Sequence, residues 1–114
     1  MRDIKFRAWN TIINCYHYNI QNVHDEEIAD SFQNILDNEE LIVEQYTGLK
    51  DFNGVEIYEG DILKDVDDST IVGFVEYDEA FGEYDCGDNN LYECTRDCIV
   101  IGNIHEQPEL LEDK

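Results

Sequence analysis

The stretch QYTGLKDFNGVEIYEGDILK, residues 45–64, constrains the fold of this chain more than any other. Gly48, Gly54 and Gly60 are evenly spaced among aromatic and β-branched residues, and no helical pattern follows them. Asn53–Gly54 is the preferred dipeptide of a two-residue hairpin, in which both central residues take positive φ, with Phe52 and Val55 flanking it across the ladder. Gly60 supplies a tight turn between IYE and DIL. A phosphate loop needs backbone N–H groups ahead of a helix, and usually a Lys–Ser/Thr pair. Here Ile62 and Leu63 open a strand instead, so the glycines read as corners of a β scaffold.

The flanking segments extend that scaffold. IKFRAW (4–9) alternates, with Ile4, Phe6 and Ala8 on one side and Lys5, Arg7 and Trp9 on the other, which predicts a strand with one wet face. Arg2, Lys5 and Arg7 make it the basic patch of the chain. CYHYNI (15–20) pairs with it across a turn near Asn10–Asn14. The period then changes: Ile28, Phe32, Ile35 and Leu36 recur at helical spacing, predicting a helix over 25–38 with Asp25 as N-cap. LIVEQYT (41–47), DILKDV (61–66), TIVGFVEYD (70–78), LYEC (91–94) and CIVIGNI (98–104) read as strands. TIVGFVEYD and CIVIGNI are apolar on both faces with a central glycine, the mark of a bulge or sharp bend. Bent, two-sided strands of this length point to a small barrel. The tail is expected to dock a short turn at Leu110–Leu111 and then fray.

At 114 residues the chain is one domain, and 42% hydrophobic residues exclude disorder throughout. Seven Lys and Arg stand against 28 Asp and Glu, a formal charge of −21. Such a surface repels nucleic acid and anionic membranes, and attracts basic partners, including proteins whose grooves expect a polyanion. Excess carboxylate also simply keeps a small protein dispersed. No apolar run is long enough for a signal peptide or a membrane span, so the protein is expected in the cytoplasm. Cys15, Cys86, Cys94 and Cys98 are then expected as free thiols.

Several constellations carry candidate chemistry. Asp65, Asp67 and Ser69 alternate, with Glu76 at the bidentate position of a calcium loop. However, Thr70 stands where that loop needs glycine, and Ile71–Val75 reads as strand, so an acidic hairpin loop is favoured over a metal site. Cys94 and Cys98 with His105, and Cys86 as a fourth ligand, could hold zinc, though their spacing is that of no finger or ribbon. A buried cysteine is also a small hydrophobe. Ser31 and Ser69 lack a nucleophile-elbow setting. His17, His24 and His105 are scattered, and adjacent carboxylates mean little in so acidic a chain. No catalytic residue and no cofactor site is assigned, which predicts a non-enzyme. The region 76–94 is the candidate partner surface: Tyr77, Asp78, Glu79, Phe81, Glu83, Tyr84 and Asp85 mix aromatic and acidic side chains as interfaces do. A core-filling role for the tyrosines stands equally open.

MRDIKFRAW, QYTGLKDFNGVEIYEGDILK, GFVEYDE and VIGNIHEQPELLE occur in this order in the YopX family, which the chain therefore resembles at both ends and in the centre. The resemblance implies an origin in phages or prophages of Gram-positive bacteria. It also implies a mainly β fold with one helix. Strands and a helix over 1–44 would pack on a small SH3-like barrel over 45–114. It brings no agreed activity, ligand or catalytic residue. The expectation is an accessory protein working by protein–protein contacts, either with a basic host protein as a DNA mimic or as a homo-oligomer. The alternative is a metal-binding module or metal-dependent enzyme using the acidic loop or the cysteines.

Overall fold

The computed structural model describes residues 5–18, 20 and 39–111, and the chain divides into two compact units, 1–46 and 47–114. In the first unit β1 (Phe6–Asn10) lies between β2 (Cys15–Tyr18) and the start of β3 (Leu41–Lys50). Both pairings are antiparallel, so Ala8 faces His17 on one side and Val43 on the other. The turn between β1 and β2 is held by Asn10, whose Oδ1 accepts the N–H groups of Ile12 and Ile13, and Asn14 takes a left-handed φ of 55°.

The wet face expected on β1 is absent: Arg7, Ala8 and Trp9 are all buried. Alternation marks a solvated face only where nothing covers it, and here Glu44 and Tyr16 do. Arg7 Nε donates to Glu44 Oε1 at 2.8 Å, and the guanidinium sits 4.2 Å from the centroid of the Tyr16 ring. Tyr16 Oη donates to the same carboxylate oxygen, and Trp9 meets the Tyr16 ring edge-on at 5.0 Å. Lys5 lies over the Tyr46 ring. The expected basic patch therefore loses Arg7 to the interior. The helix expected over 25–38 lies outside the described residues.

In the second unit the end of β3 neighbours β4 (Glu56–Tyr58). A second antiparallel sheet, curled into a half-barrel, runs in the order β8-β7-β6-β5-β9. Its strands are β5 (Asp61–Asp65), β6 (Ile71–Asp78), β7 (Glu83–Cys86), β8 (Asn89–Asn90) and β9 (Cys98–Asn103). The mid-strand glycines mark bulges, as their sequence positions suggest. Leu63 pairs with Gly73 but Lys64 with Ile71, which leaves Val72 over. Ile62 pairs with Gly102 but Leu63 with Val100, which leaves Ile101 over. Gly73 also permits a close approach, since a Cβ there would stand 2.8 Å from the backbone of Gly87. The extra residues sharpen the local twist and bend the sheet.

That bend encloses a core of Ile57, Leu63, Val75, Cys86, Leu91, Cys94 and Cys98. Each fully buried aliphatic side chain contributes about 1.5–3 kcal/mol. Ile62 is as buried as its neighbour Leu63, so β5 is covered on both faces.

One strand expectation is corrected. LYEC forms a single helical turn, α1 (Leu91–Cys94), rather than a strand. Asn90 caps it by accepting the Tyr92 N–H on its side-chain oxygen, and Leu91 and Cys94, three residues apart, both reach the core. A 3-10 turn at Pro108–Leu111 closes the described chain, with Leu110 near Gly102. Residues 112–114, where fraying is expected, lie outside the described residues. No described helix is long and apolar enough to cross a membrane.

Candidate functional site

The region singled out for its acidic and aromatic residues folds as the hairpin of β6 and β7. Its register pairs Val75 with Cys86, Glu76 with Asp85, Tyr77 with Tyr84 and Asp78 with Glu83. Because side chains alternate along a strand, Glu76, Asp78, Glu83 and Asp85 share one face and Tyr77 and Tyr84 share the other. The two tyrosine rings meet edge to face at 5.1 Å. Tyr84 is half-buried against the core, whereas Tyr77 is 47% exposed and Phe81, in the connecting turn, 78%. Interior and surface roles are thus divided among the aromatics. Asp78 also shapes the turn, its Oδ1 accepting the N–H groups of Ala80 and Phe81.

Like charges directly opposite across a ladder destabilise it. Partial desolvation, then a hydrogen bond that the protonated Asp85 carboxyl donates to Asp78, and the charges of Asp78, Glu83 and Glu76, raise Asp85 above the usual aspartate range. A pKa raised in the folded state means that the fold holds this proton more tightly than the unfolded chain does. The contribution to stability is therefore present below the ordinary carboxylate pKa and is lost as pH rises through the raised one. Asp85→Asn is expected to melt higher than the parent at neutral pH. The difference should close as pH falls through the carboxylate range, and shrink in high salt. Thermal melts at three pH values check this; a variant that melts lower at neutral pH would refute a repulsive ladder.

The residues read as a calcium loop form the turn between β5 and β6. Asp65 Oδ1 accepts the N–H groups of Asp67 and Asp68, Ser69 takes a left-handed φ of 62°, and Asp68 Oδ1 accepts the Thr70 N–H. Hydrogen bonds from the side chain and backbone of Thr70 hold the Asp68 carboxyl below its usual value. Glu76 stands well along β6, opposite Asp85, so the turn and Glu76 are not brought together. Among the described residues no three His, Cys, Asp or Glu side chains converge as metal ligands.

The cysteines are free, and Cys86, Cys94 and Cys98 gather in one buried cluster. Cys94 lies on α1 and Cys98 opens β9, paired with Asp65 on β5. The Cys98 thiol donates to the Cys94 sulfur. Burial first, then neighbouring thiols, push Cys86 up to about 12; burial, Cys94 and the carboxylates of Asp65 and Asp97 do the same to Cys98. Cys94 is raised by burial and by Glu93, Asp65 and Asp97. His105 sits in the turn beyond the far end of β9, held by Asn103, and Cys15 lies in β2.

Sequence reasoning missed how the glycine-rich stretch uses its polar side chains. Buried Asp51 accepts the N–H groups of Asn53 and Val55 on Oδ1 and that of Val100 on Oδ2. The turn is thus centred on Asp51, with Gly54 N–H returning to the Asp51 carbonyl, and Asn53 is not among the residues of positive φ. Phe52, expected to flank a two-residue loop, instead lies within the turn and is 59% exposed. Thr47 Oγ1 donates to the Ile57 carbonyl, and Asp61 Oδ2 accepts the Tyr58 N–H. In GNIHEQ, Asn103 accepts from His105 and Glu106 N–H, while its own N–H donates to Gln107 Oε1. Each of these groups satisfies the backbone of a turn or of a neighbouring strand, so the stretch is scaffold.

A search of curated proteins found no match. Among solved structures, the chain is similar to protein EF1440 from Enterococcus faecalis, with a TM-score of 0.72 and 29% identity over 98% of this chain and 100% of that one. The family described as YopX protein matches residues 5–112. The match takes in the scaffold turns of Asp51, Asp61 and Asn103, the strands they join and nearly everything between; this chain belongs to the YopX family.

Proposed function

We propose that this YopX protein is a phage or prophage accessory protein of the host cytoplasm that acts by docking on a basic protein surface. In this reading the β6–β7 hairpin is the docking element, and the partner is a host protein whose groove accepts a polyanion. The observation that carries the reading is the carboxylate face of that hairpin. Glu76, Asp78, Glu83 and Asp85 stand together although their repulsion weakens the ladder, and no Lys or Arg occurs between Lys64 and Arg96 to relieve it. Exposed Tyr77 and Phe81 at the same tip add the rigid aromatic contacts that interfaces favour. Binding rather than catalysis is supported by Thr47, Asp51 and Asp61 of the glycine-rich stretch, whose side chains are committed to backbone hydrogen bonds.

The test is capture of partners from host lysate at two salt concentrations, with the parent protein and a Glu76→Gln/Glu83→Gln/Asp85→Asn variant side by side. Basic partners should bind the parent at low salt and be displaced by single-stranded DNA. They should fall away at high salt, because exposed charges are screened beyond about 8 Å at physiological ionic strength, and the variant should not retain them. Salt-insensitive partners, or equal capture by the variant, would overturn the reading.

A further inference from the structure

The thiol cluster is unused by the docking reading and carries a chemistry of its own. Cys94 and Cys98 line an open cavity of about 180 Å³ whose remaining walls are Asp65, Asn89, Glu93 and Asp97. Their thiols are hydrogen-bonded to each other, and only Thr95, Arg96 and Asp97 separate them in the chain. Cys86, fully buried, is not part of the cavity wall. Two thiols within hydrogen-bonding reach of each other and lining one cavity are close enough to react together.

We propose that Cys94 and Cys98 form a dithiol modification site, closed to an intramolecular disulfide by a small uncharged two-electron oxidant of the peroxide class. Three carboxylates around the cavity disfavour anionic oxidants such as oxidised glutathione, whereas hydrogen peroxide carries no charge to repel. Cys94 is the attacking sulfur, because it receives the hydrogen bond from Cys98, which favours its thiolate over that of its partner. The Cys94 thiolate attacks one peroxide oxygen, the O–O bond breaks, and hydroxide leaves to become water, giving the sulfenic acid. The Cys98 sulfur then attacks the Cys94 sulfur, the S–O bond breaks, and a second water departs with the Cys98 proton. The two sulfurs together lose two electrons and the peroxide gains them. Burial and the surrounding acid groups keep both thiols protonated, so closure is slow at neutral pH. The same environment does not stabilise the reduced thiolates, so the bond, once made, resists reduction.

The experiment treats the folded full-length protein with hydrogen peroxide, blocks remaining thiols and maps the peptides by mass spectrometry. A Cys94–Cys98 linkage is expected, with Cys86 still reduced, and with a closure rate that rises about tenfold per pH unit as the thiolate fraction rises. In Cys98→Ser the reaction should stop at a sulfenic acid on Cys94 that dimedone traps; in Cys94→Ser neither product should form. Peroxide that oxidises Cys15 or Cys86 while Cys94 and Cys98 stay reduced would overturn the proposal. So would a dimedone adduct on Cys98 rather than Cys94. Mapping of the parent protein decides the outcome even if a serine variant fails to fold.

Discussion

Asp51→Ala should lose about 4 kcal/mol of stability, since three charge-assisted hydrogen bonds are worth about 1.5–3 kcal/mol each and do not add fully. The buried carboxylate holds the N–H groups of Asn53, Val55 and Val100, two in its own turn and one on β9. Alanine would leave all three donors without that acceptor, and the Val100 N–H lies 49 residues away, so no local rearrangement replaces it. For a domain of this size the midpoint of thermal unfolding should fall by roughly 15–20 °C. Asp51→Asn should recover only part of the loss, because the amide nitrogen must face one of the donors. Exposed Phe52→Ala, one residue along, should stay within about 0.5 kcal/mol of the parent. Urea unfolding of the three variants checks the order; a loss under about 1 kcal/mol in Asp51→Ala would mean that the turn survives without its acceptor.

That hub was legible in the sequence and was masked by a stronger-looking signal. Asn53–Gly54 suggests a two-residue hairpin, yet Asp-x-x-Gly is equally a turn pattern, with an acceptor at the first position and glycine at the fourth. The second is what Asp51 and Gly54 build. Strands with long alternation or a central glycine were readable because period and bulge are local properties. α1 was not, since four residues show no period, although Asn90 ahead of it was an available cap. The carboxylate face of the hairpin needed the pairing register, which fixes that Glu76 meets Asp85. The meeting of Cys94 and Cys98 needed the turn after α1 to place the start of β9 beside it. Arg7 was the least legible of all: its burial depends on Glu44, 37 residues away, and on a tyrosine from the neighbouring strand.

Removing either partner of that ion pair should be nearly as damaging as removing Asp51. Arg7 and Glu44 are 4% and 6% exposed, and Arg7→Ala or Glu44→Ala alone leaves the other buried charge without this counter-charge, a loss of about 3–5 kcal/mol. Tyr16→Phe removes one donor to the same carboxylate and should cost about 1 kcal/mol. The double replacement Arg7→Met/Glu44→Leu should return to within about 1 kcal/mol of the parent, because desolvating two charges offsets most of what their attraction gains. The pair is more useful for specificity than for stability. Arg7 and Glu44 are direct cross-strand partners in the β1–β3 register, and a one-residue slip would turn Arg7 to the opposite face, away from Glu44. An apolar pair penalises that slip far less. The double variant should therefore keep its urea midpoint yet exchange the amide hydrogens of β1 faster than the parent. If exchange in β1 is unchanged, the ion pair does not set the register, and the apolar contacts of Ala8 and Trp9 suffice to hold β1 against β3.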